Sequence, residues 1–340
     1  MNVLSLFDGM SCGRIALERA GIQVTNYFAS EIDKHAIKVA MHNYPDTQQL
    51  GDVTKWREWN LPKIDLLIGG SPCQGFSFAG NQLNFEDPRS KLFFEFVRML
   101  NEIRETNPNV LFLLENVKMK KEYQDIITEH LGVEPIAINS ELFSAQDRKR
   151  IYWTNINFKE LPNENKLIVE DILEEEVDAK YFIDPKRSVI ICENEVKKRK
   201  IAFIGSNSQG NRIYNIHGKS VCLCGEGGGL GANTGLYALP CLTPDRSEKG
   251  QNGRRFKPPH SKFYTLTAMD RHGILTDNFI RKLTPIECER LQTVPDNYTS
   301  CVSDSQRYKM LGNGWTVDVV AHIFSGLPVA DQGVLFGKVA

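Results

Sequence analysis

An alternation of element types is the strongest constraint on how this chain can fold. Short apolar runs at residues 3–7, 27–30, 64–68 and 110–114 are separated by segments of helical periodicity at 12–20, 34–41 and 92–105. Apolar runs bounded by turn formers read as buried strands, and apolar positions three and four apart read as one face of a helix. Strand and helix in turn force a mainly parallel sheet, because a parallel neighbour is reached only through a crossover and the crossovers cover both faces. Ligands in such sheets bind outside the carboxyl ends of the strands. Phe7, Ser30, Cys73 and Glu115 all lie at or just past such an end, so one shared site is expected there.

With 340 residues, 41% hydrophobic and 24% charged, the chain suits one large domain and a smaller one of ordinary soluble composition. No apolar run reaches the length of a membrane span, and the N-terminus leads into a strand rather than a secretion signal. Eight cysteines without a regular framework point to a reducing, cytoplasmic setting. Cys222 and Cys224 form a C-x-C with no second pair at zinc spacing, so no metal is expected. The net charge of −1 hides an asymmetry: residues 186–282 carry 17 Lys+Arg against 7 Asp+Glu, a balance of +10 that leaves −11 for the rest. The same stretch holds twelve of the 26 glycines and short β-type runs at 201–204 and 263–267. A smaller, irregular, β-rich domain with an electropositive surface follows, although a run such as Lys197-Lys198-Arg199-Lys200 is more often a solvated face. Helical periodicity returns with Thr284 as N-cap and Pro285 at the first helical position. The expected division is a first domain over 1–180, a second over 181–278, a return to the first over 279–325, and a tail over 326–340.

The chemistry-bearing residues cluster at the expected strand ends. After residues 64–68, Gly69-Gly70 lets the backbone turn and Pro72 restrains it, so the Cys73 thiol is presented at a defined angle. The polar stretch through Asn84 reads as a movable loop, and a thiol beside a lid suits nucleophilic catalysis. A structural cysteine is the ordinary alternative for an isolated one. Phe7-Asp8-Gly9-Met10-Ser11-Cys12-Gly13 is a turn into a helix but not G-x-G-x-x-G, which argues against a pyrophosphate. Glu31 is placed for ribose hydroxyls and Asp52 for an exocyclic amine. Together they point to a nucleoside cofactor lacking a diphosphate, S-adenosylmethionine. Glu115 ends the most apolar strand, where a carboxyl is expected to be partly desolvated and to keep a proton near neutrality; a helix N-cap is the alternative for Asn116. Arg148 and Arg150 share a side if extended and could grip a phosphate or a base carbonyl, with plain exposed charge as the alternative.

In order, the chain carries Leu6-Phe7-Asp8-Gly9, Glu31, Gly51-Asp52, Gly70-Ser71-Pro72-Cys73-Gln74, Leu92-Phe93-Phe94-Glu95, Glu115-Asn116-Val117, Gln146-x-Arg148-x-Arg150, Arg281-Lys282-Leu283-Thr284-Pro285-x-Glu287-x-x-Arg290-Leu291-Gln292 and Leu311-Gly312-Asn313-Gly314. From residue 3 to about 324 it resembles the DNA (cytosine-5) methyltransferases. The resemblance implies a Rossmann-like S-adenosylmethionine-dependent methyltransferase fold, a mixed and mainly parallel sheet with helices on both faces. A smaller β-rich target recognition domain would lie where the positive charge was counted. Ser11 and Cys12 depart from the denser glycine loop of bacterial members, and Gly-Asn-Gly-Trp departs from their usual last motif.

What the resemblance implies chemically is attack of Cys73 on C6 of a cytosine flipped out of duplex DNA, with Glu115 at N3 and N4 and Arg150, with Arg148 nearby, at O2 or the adjoining backbone. Phe7, Gly9, Glu31, Ile32, Asp52, Val53, Pro72, Leu92, Asn313, Gly314 and Trp315 would hold the cofactor. Gln74, Ser77, Arg254, Arg255, Lys257, Arg271 and His272 are the candidate DNA contacts, and the loop from Gln74 to about Lys91 would close over the base. Such an activity is compatible with a cognate restriction endonuclease in the same system. An RNA (tRNA) cytosine-5 methyltransferase and a catalytically silent DNA-binding homologue are the alternatives; Cys73 and Glu115 both being present argues against the second.

Overall fold

The structure, a computed structural model, describes residues 1–71, 91–183, 189–191, 200–204, 206, 208–216, 218–225, 228–238, 240–242, 272–274 and 280–328. It divides into two compact units, one of Met1–Ile138, Arg150–Leu161 and Val317–Ala340, the other of Asn139–Lys149 and Pro162–Thr316.

The first unit is built on a seven-stranded sheet of β1 (Asn2–Leu6), β2 (Asn26–Ser30), β3 (Gln48–Gln49), β4 (Leu66–Gly70), β5 (Leu111–Val117), β6 (Ile136–Asn139) and β7 (Lys149–Thr154), in the order β3-β2-β1-β4-β5-β7-β6. Strands β3, β2, β1, β4 and β5 run parallel to their neighbours, and β7 runs antiparallel to β5. Helices α1 (Cys12–Arg19), α2 (Lys34–Asn43), α3 (Lys91–Thr106) and α4 (Lys121–Leu131) make the crossovers. The strands and helices expected in this unit are all present, within three residues at each end, and the run expected at 263–267 lies outside the described residues. The mainly parallel α/β architecture holds for this unit because its central strands are apolar on both faces: Leu4, Leu6, Leu67, Phe112 and Leu114 are buried on one, and Val3, Leu66, Ile68 and Leu113 on the other.

Helix α3 covers one face by setting Phe93, Phe96, Leu100 and Ile103 into the core at helical spacing. Phe96 approaches β4 so closely that a Cβ on Gly69 would stand 3.1 Å from its ring and 3.1 Å from the Leu6 carbonyl. Gly69 therefore serves helix packing, and β4 runs on through Gly70 rather than turning at Gly69-Gly70 as expected. Trp153 on β7 is fully buried and donates its indole N–H to Thr128 on α4 at 3.0 Å.

The second unit contains a six-stranded sheet of β8 (Phe182–Ile183), β9 (Val189–Ile191), β10 (Lys200–Ile204), β11 (Arg212–Asn215), β12 (Leu236–Ala238) and β15 (Ile280–Arg281), in the order β8-β15-β12-β11-β10-β9. A small antiparallel pair, β13 (Pro240–Leu242) and β14 (His272–Ile274), stands beside it in sequence. Helices α5 (Val169–Ile172), α6 (Pro285–Leu291) and α7 (Asp304–Asn313) belong to this unit, and α8 (Val317–Phe324) to the first. Thr284 caps α6 as expected: its hydroxyl accepts from Glu287 N at 3.2 Å while the Glu287 carboxylate accepts from Thr284 N at 2.8 Å.

The compact units cut the chain elsewhere than the four expected segments. Residues 162–180 and 279–316 group with the β-rich region rather than with the parallel sheet. The physical reason is pairing across the expected boundaries: β15 is paired with β12 and β8, and Val169 N and Glu170 N donate to the carbonyls of Gly218 and Ile216 at 2.8 and 3.0 Å. Arg281 on β15 makes a bidentate pair with Glu287 at 2.6 and 2.7 Å, both side chains essentially without exposure. Glu289 on α6 is held by Arg307 on α7 at 3.0 Å.

Candidate active site

In the first unit the carboxyl ends of β1, β2, β3, β4 and β5 share one edge of the sheet, and antiparallel β7 brings its first residues to that edge. Register places Gly70 beside Glu115, Glu115 beside Tyr152, and Val117 beside Arg150. Glu115 and Arg150 are thus diagonal neighbours on one face, within reach of a long side chain. Arg150 Nε lies 3.1 Å from Glu115 Oε1, with only 15% and 10% of the side chains exposed. The expectation of a partly desolvated carboxyl at Glu115 holds as to burial, with a guanidinium beside it.

Asn116, next in the strand, turns to the opposite face. Its amide donates to the Ser71 hydroxyl at 3.1 Å and to the Ser71 carbonyl at 3.4 Å, and its own oxygen accepts from Val117 N at 2.8 Å. It is a strand residue tying down Ser71, two positions before Cys73 in the sequence, not a helix cap. Pro72, Cys73, Gln74, Ser77, Arg254, Arg255, Lys257 and Arg271 lie outside the described residues, as does the side chain of His272, whose backbone belongs to β14.

A second cluster surrounds the ends of β1, β2 and β3. Phe7, Gly9 and Ser11 all adopt left-handed backbone conformations, at φ of 56°, 60° and 64°. Nothing lies within 4 Å of where a Cβ on Gly9 would project, so that side of the turn is open. Glu31 Oε2 accepts from Gly9 N, and Oε1 from Ile32 N and Asp33 N, each at 2.8 Å. A carboxylate offers about four acceptor positions, so one remains for a hydroxyl. Ile32 is 75% exposed, an apolar side chain presented to a flat partner. Asp52 Oδ1 accepts from Thr54 N and Thr54 Oγ1, both at 2.9 Å, which holds its carboxyl below the usual range, while Val53 is buried beneath. Leu92 packs half-buried against the core, as does Phe7. An open glycine, a partly used acid, an exposed isoleucine and a second fixed acid together fit a nucleoside.

Arg148 departs from the expectation made for it. Its buried guanidinium belongs to the second unit, where it donates to Cys222 Sγ at 3.2 Å and to the carbonyls of Leu223, Gly312 and Gly314 at 3.1, 3.1 and 2.9 Å. Arg148 and Arg150 do not act as a matched pair of grips; the first holds backbone and the second faces a carboxylate. Gln292 assists it, donating to Leu311 O at 2.6 Å and Gly314 O at 3.3 Å while accepting from Thr316 Oγ1 at 2.8 Å. These bonds fix the segment containing Asn313, which is exposed, and Gly314 and Trp315, which are half-buried. Gly312 is required by proximity: a Cβ there would stand 2.2 Å from the Cys224 carbonyl carbon, whereas one on Gly225 would meet only the Asn313 side chain, 1.9 Å from its Oδ1.

Part of the positive charge is internal too. The Lys219 ammonium is bound by the carbonyls of Glu141, Ser144 and Asn165 at 3.0, 3.0 and 2.9 Å, and Arg281 is paired within the unit. Among the described residues no group of three His, Cys, Asp or Glu could hold a metal ion, and no helix is long and apolar enough to cross a membrane.

Comparison with known proteins agrees along the full length. The model of the family described as C-5 cytosine-specific DNA methylase matches residues 1–328. The orphan methyltransferase M.SPRI of Bacillus phage SPR is 31% identical, over 96% of this chain and 97% of its own. The type II methyltransferase M.HhaI of Haemophilus parahaemolyticus is 27% identical over 95% and 93%. Among solved structures, a DNMT2 mutant of Spodoptera frugiperda covers 96% of this chain and 98% of its own with a TM-score of 0.61 at 19% identity, a likeness of fold. The chain belongs to the C-5 cytosine-specific DNA methylase family.

Proposed function

We propose that this DNA (cytosine-5) methyltransferase works by covalent catalysis on a cytosine flipped out of duplex DNA, with Cys73 as nucleophile and Glu115 and Arg150 as the groups that receive the base. The observation that carries this reading is the Glu115–Arg150 pair at the carboxyl edge of the sheet, registered beside Gly70, three positions before Cys73. The Cys73 thiolate adds to C6. Glu115, protonated, donates to N3 and accepts from the N4 amino group; charge arriving at N3 as the C6–S bond forms takes that proton. Arg150, oriented by the carbonyl oxygen of the Glu115 carboxyl group, serves O2. C5 becomes nucleophilic and accepts the methyl group; loss of the C5 proton to a base then expels Cys73. An ordinary thiol is only a few per cent ionised at neutral pH, so the closed site must favour the thiolate. Flipping costs a few kcal/mol, which contacts from the loop after Gln74 and from the basic region would offset.

S-adenosylmethionine supplies the methyl group. Glu31 has the acceptor position for its ribose, Ile32 the apolar surface for adenine, and Asp52 a carboxylate oxygen for the exocyclic amine, with Phe7, Gly9 and Val53 shaping the floor. By resemblance Pro72, Leu92, Asn313, Gly314 and Trp315 serve the methionine end. The substrate is duplex DNA read by the region around 181–278, with or without a cognate restriction endonuclease.

The test is a trap. Wild type with S-adenosylmethionine and duplexes containing 5-fluorocytosine should give a denaturant-stable protein–DNA adduct, and Cys73→Ala should give none while still binding cofactor. Absence of any adduct, on DNA whose methylated sequence has first been read by bisulfite sequencing from an expressing cell, would refute covalent catalysis.

A further inference from the structure

The loop between β1 and α1 carries Asp8 and Ser11 where a glycine-rich turn would serve, and the two side chains act together. Phe7 and Ser11 hold left-handed conformations that non-glycine residues keep only when surrounding contacts impose them. Asp8 supplies those contacts. Its Oδ1 accepts from the Tyr27 hydroxyl at 2.8 Å and its Oδ2 from the Ser11 hydroxyl, while its carbonyl accepts from Ser11 N at 3.1 Å. Its own N–H donates to the Ser30 carbonyl at 3.1 Å, which joins the loop to the end of β2. Ser11 stands at the N-cap of α1 yet makes no side-chain cap bond; its hydroxyl goes to Asp8 instead. One residue away, Gly9 N meets Glu31. Asp8 is only 9% exposed, and burial, reinforced by the charge of Glu31, pushes its carboxyl up to about 6. A fold under selection for stability alone has no use for an acid there, and departures of this kind concentrate at functional sites.

We propose that Asp8 is a positioning residue for the methyl donor: by clasping Ser11 and Tyr27 it fixes residues 7–11 in the shape that presents the Gly9 backbone and Glu31 to the nucleoside. This rests on the cofactor reading above. The Asp8 side chain is engaged by Ser11 and Tyr27, which transmit its effect.

Calorimetric titration of the full chain with S-adenosylmethionine and S-adenosylhomocysteine tests it, using Asp8→Asn, Asp8→Ala, Ser11→Ala and the Asp8→Ala/Ser11→Ala double variant. Asp8→Asn should melt no lower than wild type at pH 7.5, yet bind both ligands about tenfold more weakly, as expected for one lost bond to a charged group. Asp8→Ala and Ser11→Ala should each weaken binding by about tenfold, and the double variant no more than Asp8→Ala, because both remove the same clasp. Unchanged affinity in Asp8→Asn and Asp8→Ala, or losses that multiply in the double variant, overturn the proposal. If Asp8→Ala does not fold, Asp8→Asn and Ser11→Ala decide by the same affinities. A wild type that binds neither ligand overturns the cofactor reading first, and this inference with it.

Discussion

Replacing Asp8 with Asn should remove a pH dependence of stability whose size follows from the burial of the carboxyl. Desolvation is the main cause of the shift, partly countered by hydrogen bonds from Ser11, Ser5 and Tyr27, and Glu31 adds like charge. Arg14 on α1 lies over the Tyr27 ring at 5.3 Å and is paired with Asp46 at 2.6 Å. A carboxyl carried from 3.8 to about 6 holds its proton more tightly in the folded than in the unfolded chain. Stability contributed by that proton is present at low pH and is lost as pH rises from about 4 through about 6, after which the curve is flat. At 1.36 kcal/mol per pH unit the loss is about 3 kcal/mol. Asn cannot ionise, so Asp8→Asn should gain on wild type by about 3 kcal/mol between pH 3 and pH 7. For a domain of about 150–250 residues, at roughly 2–4 °C per kcal/mol, this is a relative shift of about 6–12 °C in melting temperature. Scanning calorimetry of both proteins in matched buffers measures it, and subtracting one from the other cancels every other titrating group. Parallel curves across that range would refute the argument, because they would mean that Asp8 keeps an ordinary acidity inside the fold.

Other perturbations separate the roles assigned to neighbouring residues. Asn116→Ala frees Ser71, two positions before Cys73; turnover should fall by up to about 10²-fold, the usual effect of a small misplacement of a reacting group, with cofactor affinity measured by titration unchanged. Arg148→Ala leaves three carbonyls without their donor and should cost on the order of 3 kcal/mol in denaturant titration, whereas an arginine held out for the substrate would cost almost nothing. Arg281→Met strands a Glu287 carboxylate that has no exposure, with an expected loss of about 3–5 kcal/mol by the same measurement. Gly312→Ala forces a methyl into the backbone at Cys224 and should destabilise by about 1–3 kcal/mol or more, seen as a lowered melting temperature.

How far the sequence could be read depended on how local each cause was. The strands of the parallel sheet and the helices between them were legible because a run of buried residues or a helical stripe is a property of neighbouring positions. Thr284 and Pro285 announced α6 for the same reason. Glu31 was legible as an acid just past a strand, and Glu115 as one ending a buried strand. Arg148 was not. Spaced two apart from Arg150, it invited a shared role, yet its acceptors are the carbonyls of Leu223, Gly312 and Gly314, 75 to 166 positions away along the chain. Backbone carbonyls are carried by every residue type, so no composition or spacing marks them as partners. Asn116 and Lys219 escaped for the same reason, since their acceptors include the carbonyls of Ser71 and of Glu141, Ser144 and Asn165.

The charge count shows the complementary limit. A balance of +10 over residues 186–282 is a property of the segment, but its use for nucleic acid depends on which charges face outward. Lys219 and Arg281 fall within that count and are both engaged inside the second unit, so the field available to a phosphate backbone is smaller than the tally. Asp8 and Ser11 lie between these cases. Their i,i+3 spacing in a strand-to-helix turn is visible in the sequence, but the spacing alone fits a capping pair equally well, with the serine serving the helix. Only the left-handed Ser11 and its hydroxyl on the Asp8 carboxylate turn that pair from a helix cap into a brace for the loop.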